Sequence, residues 1–568
     1  MIRSFIRCLA AVTLLFSEPA VAQGDSNNFS LVSRNKLIDD ARRLADLLEE
    51  VHPDPYLGGG GKISFHRRLQ DVLRAIPEDG MSPEAFSSLL QPFVNSIGDG
   101  HTSLRSFFQF DPDAAGRLPL WFSALPEVGL YVKLVKGAEN ERLIGARLVA
   151  VEGLAFSELM RRVRSMWPAE NDFHALWNMN GALIEPSFRA VLMPELEVSS
   201  SLRMEFEFPD GNKEETTVDC SLDPGLPWIR HHKTEVELPG TERCDIAYSF
   251  LSSDKKVALL RIDSQEQLKE IVEGGLSLGV DSMVMRDMAN SIYERFNAVK
   301  APTTLDSILA GLPSATDVFR NLAVEMKQAD TDALIIDLSR NAGGQSIVSD
   351  ILIYFLYGKQ QLMDLRRTTR MVDKYSDHFF QIMTHMSLDS INGSAPACRP
   401  YLLRGNDYDF HCEADGSQSL GSETGYGDMA AQLDIELQAY TSFYEEYRGG
   451  RHDGYFTPRH VIALCSNQTF SAGFGTLADL YKSGATVTGT PSGQAGNCFG
   501  NAVEFRLRNT LLGGFVSTKH IEMFPGDPEK GRVLMPHYPL SYAKLVEYEF
   551  DSNALVLHAL DIIANATE

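Results

Sequence analysis

The sequence predicts an α/β protein with a helical N-terminal part and a β-rich middle, and three observations predict it. Val461–Thr490 opens with an apolar, partly β-branched run, breaks at Ser466-Asn467-Gln468-Thr469, and then places Phe474, Leu477, Leu480 and Tyr481 on one helical face. Gly484 stands where that helix would stop, and Ala485–Thr490 returns to strand. Thr331–Ser346 repeats the strand-to-turn step, with Ala333–Ile336 running into Asp337-Leu338-Ser339-Arg340-Asn341-Ala342-Gly343-Gly344. The hydrophobic period also changes along the chain: helical to residue 97, alternating from 118 to 244, and mixed strand and helix thereafter.

At 568 residues, with 44% hydrophobic and 23% charged residues, the chain has the composition of an ordinary globular protein of two to four domains. A formal net charge of −24 argues against nucleic acid as a partner, because phosphate binding needs a basic footprint. The first 22 residues read as a secretory leader: Arg3 and Arg7, an apolar stretch Leu9–Phe16, and Ala20-Val21-Ala22 as an A-x-A site. No later run is long and apolar enough to suggest a membrane span. An exported, secreted or periplasmic protein is therefore expected. The six cysteines beyond the leader then suggest disulfides, with sequence proximity favouring Cys220–Cys244 and Cys398–Cys412. Cys465 and Cys498 flank the Ser471 segment and read equally as a bridge or as two buried thiols.

In chain order, residues 23–115 form the helical part. Leu37, Ala41, Leu44, Leu47 and Leu48 share a face, His52-Pro53-Asp54-Pro55 ends that helix, and two further helices follow around Phe65–Ile76 and Pro83–Ser96. Gly58–Gly61 precedes Lys62, but the upstream glycine and the following Ser or Thr of a phosphate loop are missing. The helices end in Ile97-Gly98-Asp99-Gly100-His101-Thr102, a histidine in a glycine-rich turn. Residues 116–243 are β-rich; Leu143–Val163 looks like part of a PDZ-type module, which would capture extended peptides by strand addition, or equally like a β domain without that role. Residues 244–568 alternate strands and helices, with Val257–Ile262 a strand, Gln265–Val272 helical, and a polar, aromatic insertion at about 360–450. His231-His232 lacks metal-spaced partners, and neither H-E-x-x-H nor C-x-x-C occurs, so no metal or other cofactor is indicated.

Ser471 lies at a strand-to-helix turn with small neighbours Ala472 and Gly473. A nucleophile belongs there, because nearby backbone N–H groups and the helix dipole favour a developing oxyanion. The same serine also reads as an ordinary helix cap. Gly343 and Gly344, directly after a buried strand, allow a sharp turn and close approach to a ligand. The two motifs together, D-L-x-x-N-x-G-G and then T-F-S-A-G, resemble those of the C-terminal-processing and tricorn-type serine peptidases, a family that also contains interphotoreceptor retinoid-binding protein. The resemblance covers the chain well from about Asp245 onward and the N-terminal hundred residues more loosely.

That resemblance implies a crotonase/ClpP-like β-β-α superhelix, which the strand–helix alternation also fits. It implies Ser471 as nucleophile, His101 as its base, and an oxyanion hole from Gly343 or Gly344 with Ala472. Glu529 is the candidate carboxylate, in a segment where His537 stands at a position usually held by Asp. In the tricorn-like branch a serine precedes the histidine where this chain has Gly100. The other branch uses a lysine, but Thr490–Gly500 contains none, and Lys482 lies eleven residues, roughly 16 Å, along the helix from Ser471. The expected activity is serine endopeptidase on peptides or unfolded proteins. The alternatives are a non-catalytic binding protein on the same scaffold and an esterase using the same residues.

Overall fold

The structure, a computed structural model, describes residues 31–105, 115–196, 200–223, 225–234, 236–384, 433–449 and 456–567. The leader, most of the insertion, and Cys398 and Cys412 lie outside the described residues. The architecture is mixed helix and sheet, of the α/β class.

Three helices, Arg34–Val51, Lys62–Ala75 and Pro83–Asn95, bury the predicted apolar stripes against one another. The middle of the chain forms an antiparallel sheet in the order Leu120–Leu125, Gly129–Val135, Arg147–Val151, Ser201–Glu207, Lys213–Asp219, backed by the helices Phe156–Met166 and Asp172–Ile184. The last part is built on a six-stranded sheet. Its order is Tyr538–Pro539, Thr486–Gly489, His460–Cys465, Ala333–Asp337, Val257–Ile262, Ile246–Phe250, parallel throughout except for the last pair. Ala333–Asp337 is buried along its whole length, which is why it reads as an unbroken apolar run rather than an alternating one. Phe474, Leu477 and Leu480 of the helix Ser471–Lys482 cover one face, and Val556 and Ala559 of the helix Ala554–Thr567 cover the other.

A second sheet joins the N-terminal helices to this core. Ser103–Leu104 pairs antiparallel with Gly513–Glu522, which also pairs with Asn497–Arg506 and Arg370–Asp373. Buried Asp40 strengthens the join by accepting hydrogen bonds from the backbone N–H groups of Asn509 and Thr510. Lys374 Nζ donates to the carbonyls of Glu49 and His52, a cation at the C-terminal end of a helix. Burial lowers its pKa to about 8 against the pull of nearby carboxylates.

Two expectations are corrected. A helix expected from Gln265 begins only at Lys269, because Gln265 stays extended: its N–H donates to Gly343 O and its carbonyl accepts from Gln345 N–H. The expected disulfides are absent among the described residues, where Cys220, Cys244, Cys465 and Cys498 are free thiols. Cys220 is packed in the core of the middle sheet, Cys465 Sγ faces the carbonyl of Thr490 at 3.2 Å, and Cys498 Sγ meets Gln494 Nε2 at 3.1 Å. Burial pushes all four thiols up. No helix among the described residues is long and apolar enough to cross a membrane.

Candidate active site

Parallel strands need crossovers, so the ends of Ala333–Asp337 and His460–Cys465 meet on one edge of the sheet with their following turns side by side. Phe470 N–H donates to Asn341 O at 3.0 Å, and Ser466 Oγ and Thr469 Oγ1 donate to the carbonyls of Ser339 and Leu338. The packing admits no side chain at the contact. A Cβ on Gly343 would lie 2.6 Å from Ser471 Cβ, and one on Gly473 would lie 2.5 Å from Asn341 Oδ1. Gly343 and Gly344 also hold φ of +120° and +128°, conformations open to glycine.

Ser471 is the first residue of its helix and has a left-handed φ of +50°, costly for a residue with a Cβ. Gln494 holds it there by accepting its N–H. The hydroxyl reaches out of the turn to His101, whose Nε2 lies 3.3 Å from Ser471 Oγ. That histidine arrives from the N-terminal part, fixed by the pairing of the next residues, Ser103–Leu104, with Gly513–Glu522. Its ring stacks on Phe470, with centroids 4.9 Å apart.

Two carboxylates face the other side of the imidazole. Glu170 Oε1 lies 3.6 Å from His101 Nδ1 and Asp99 Oδ1 lies 3.9 Å from it. Both distances are too long for hydrogen bonds and short enough for strong charge interaction. Burial opposes charge on His101, but Glu170 and then Asp99 outweigh it and hold its pKa above the usual imidazole value. Glu170 Oε1 accepts from Gly100 N–H and Oε2 from Ala495 N–H, so this one side chain ties the histidine turn to the segment after Ser471. Burial raises its own pKa, against the favourable charge of His101.

Asp99 is fully buried. Its Oδ1 accepts from His101 N–H at 2.8 Å, and its Oδ2 accepts from Ser517 Oγ at 2.6 Å and from His52 Nε2 at 3.1 Å. Asp54 N–H donates to His52 Nδ1, so the hydrogen of that ring sits on Nε2, facing Asp99. Burial works against the carboxylate, yet these partners hold its pKa well below the usual range. A second histidine, His174, packs on Phe470, and burial followed by repulsion from His101 lowers its pKa to about 4. It therefore stays neutral.

The structure brings Ser471, His101, Gly343, Gly344 and Ala472 together. Gly343 N–H is already donated to Asn341 Oδ1 at 2.8 Å, whereas no acceptor among the described residues takes the N–H of Gly344 or of Ala472. The last two are therefore the donors open to a ligand. Glu529 is not beside His101. It sits exposed on the short helix Pro528–Arg532, whose Asp527 cap and Gly531–Asn497 contact turn Glu529 outward. The carboxylates at the histidine are Glu170 and Asp99. Asp99 is legible as the start of Asp99-Gly100-His101, but nothing local marks Glu170, which lies in the turn between two helices of the middle region. Gly100 has a steric reason to lack a side chain: a Cβ there would lie 2.7–2.8 Å from Phe470, Glu170 Oε1 and His174. The donor atoms of Asp99, His101 and Glu170 lie within 4.8 Å of one another, close enough to surround a cation, although both carboxylates already accept hydrogen bonds from the protein.

No family model and no curated protein matches the sequence. Among solved structures, mature CPAF superposes with a TM-score of 0.51 at 12% identity, over 92% of this chain and 96% of that one. The chain has the fold of mature CPAF. Looser overlaps, with TM-scores of 0.38 and 0.30, occur with the photosystem II D1 C-terminal processing protease (11% identity, 91% of this chain and 95% of that one) and with the tricorn protease (12% identity, 94% and 37%).

Proposed function

We propose that the protein is an exported serine endopeptidase acting on peptides or unfolded proteins. The observation that carries this reading is the 3.3 Å approach of His101 Nε2 to Ser471 Oγ, two residues 370 positions apart in sequence. Ser471 Oγ attacks the scissile carbonyl while His101 Nε2 takes its proton; the same nitrogen then protonates the leaving amine. Glu170 and Asp99 stabilise the imidazolium formed in between, and the N–H groups of Gly344 and Ala472 receive the oxyanion. Water, activated by His101, hydrolyses the acyl-enzyme. Phe470 under the imidazole and buried neutral His174 keep the ring in place without competing for the proton. The apolar leader supports an exported site of action.

The test is turnover of an unfolded protein and of quenched fluorescent peptides by wild type, Ser471→Ala and His101→Ala, with labelling by a fluorophosphonate probe. Wild type is expected to cut and to label, and either substitution to lower the rate about 10⁴- to 10⁶-fold. Mature CPAF has been solved in complex with lactacystin, which makes that compound a first inhibitor to try. Labelling and ester hydrolysis without peptide cleavage would favour the esterase; a folded wild type that neither labels nor cuts would leave the binding protein.

A further inference from the structure

Gln265 touches both halves of the proposed oxyanion site. It follows the strand Val257–Ile262 and forms a single parallel bridge with Gly344. Its N–H donates to Gly343 O at 2.9 Å and its carbonyl accepts from Gln345 N–H at 2.9 Å, so its backbone holds both flanks of Gly344. The fit is close: a Cβ on Gly344 would lie 2.4 Å from the carbonyl carbon and oxygen of Gln265. The side chain reaches a different element. Gln265 Nε2 donates to Thr476 Oγ1 at 2.6 Å, and Thr476 Oγ1 donates to Ala472 O at 3.0 Å. Thr476 belongs to the helix Ser471–Lys482, and both side chains are completely buried. The threonine hydrogen is engaged with Ala472, so the hydroxyl accepts from Gln265, which fixes the amide with Nε2 toward it. One residue thus joins the loop of Gly344 to the helical turn of Ala472.

That junction matters because neither donor is fixed by a hydrogen bond of its own. The N–H groups of Gly344 and Ala472 have no acceptor among the described residues, and Gly344 follows a second glycine that also has positive φ. Successive glycines have the widest backbone freedom, so the separation of the two N–H groups is set by what clamps their flanks. Phe470 N–H on Asn341 O fixes the near side of the glycine pair, and Gln265 fixes the far side. An oxyanion hole works because its donors are in place before charge develops, and a displacement of about 1 Å costs about 10²-fold in rate. A bond that merely held sheet to helix would alter stability and leave the rate constants alone.

We propose that Gln265 is a positioning residue for transition-state stabilisation, setting Gly344 N–H against Ala472 N–H through its bond to Thr476. The inference rests on the reading of Ser471 as an acyl-transfer nucleophile, and it holds whether the acyl group comes from a peptide or from an ester.

Gln265→Met keeps the length of the side chain and both main-chain bonds but removes the donor. Thr476→Val removes the hydroxyl at nearly the same volume and keeps the question open to test if Gln265→Met does not fold; Thr476→Ser retains the hydroxyl. Each is measured for kcat and KM on a quenched fluorescent peptide, or on an ester if wild type cuts only esters, and for thermal unfolding. Affinity for a peptidyl trifluoromethyl ketone is the third readout. Ser471 Oγ adds to the carbonyl carbon of such a ketone, its proton passes to His101, and the former carbonyl oxygen becomes the oxyanion. Gln265→Met and Thr476→Val are expected to lower kcat about 10- to 100-fold with KM within about threefold, and ketone affinity should fall by the same factor as kcat/KM. The double variant should lose little more than the worse single one, because both break one chain of bonds. Thr476→Ser should keep kcat within about threefold of wild type. The proposal is overturned if folded Gln265→Met and Thr476→Val proteins keep kcat and ketone affinity within about threefold of wild type, whatever their thermal stability, or if the whole loss lies in KM. A wild type that neither turns over a substrate nor reacts with a fluorophosphonate overturns the reading of Ser471 and this inference with it; an active wild type with unaffected variants overturns the inference alone.

Discussion

Glu170→Gln tests the arrangement around His101 most directly, because it removes one charge while keeping the shape. At 3.6 Å, the attraction between a carboxylate and an imidazolium is about 4 kcal/mol in the partly screened interior of a protein. Asp99, at 3.9 Å, remains and supplies part of the same stabilisation. The loss should therefore fall below that of a triad with a single carboxylate, about 10²- to 10⁴-fold in kcat/KM. The pH dependence carries a second signature. His101 must be neutral to accept the proton, so activity rises as pH passes up through its pKa. Glu170 and Asp99 hold that pKa above the ordinary imidazole value, which places the wild-type limb above pH 6.5. Without the Glu170 charge, burial is less opposed and the limb should move to lower pH. The amide also leaves one of the N–H groups of Gly100 and Ala495 without an acceptor, at about 1–3 kcal/mol of stability, which thermal unfolding separates from the kinetic effect. The assay is kcat/KM against pH with a peptide lacking ionisable side chains. A folded Glu170→Gln enzyme within about threefold of wild type and with the same limb would refute Glu170 as the partner of His101.

Gly343→Ala should abolish turnover in whatever protein folds, because its Cβ would enter the space of Ser471 Cβ at a φ of +120°; circular dichroism with single-turnover kinetics checks this, and normal activity would mean the two turns sit farther apart. Lys374 is depressed from 10.5 to about 8 on folding, so between those pH values the unfolded chain holds the proton and the folded one does not. Wild-type stability should thus gain about 3 kcal/mol as pH rises through that window, a component that Lys374→Met lacks; urea unfolding at stepped pH measures the difference, and parallel profiles would contradict it.

Much of the site was legible in local pattern. The strands Ala333–Asp337 and His460–Cys465 are buried on both faces and read as continuous apolar runs, and the change of period at Ser471 marks a helix start that the structure keeps. Paired glycines announced a turn with positive φ. Such features are fixed by dihedral preference and burial within a few residues, so sequence alone determines them. The resemblance supplied His101, but it also suggested Glu529, which lies on an exposed turn. The Cys220–Cys244 disulfide inferred from an even cysteine count and an exported chain fails for a different reason: Cys220 packs in the core of the middle sheet and Cys244 against the core of the catalytic sheet.

What only the tertiary structure decided is which charges meet. Glu170 reaches Gly100 and His101 from a turn 70 residues away, and Gln494 reaches Ser471 N–H from beyond its helix. A buried carboxylate or ammonium looks in sequence like any surface charge. Its role follows from low dielectric and from partners within a few ångströms, and packing alone sets both.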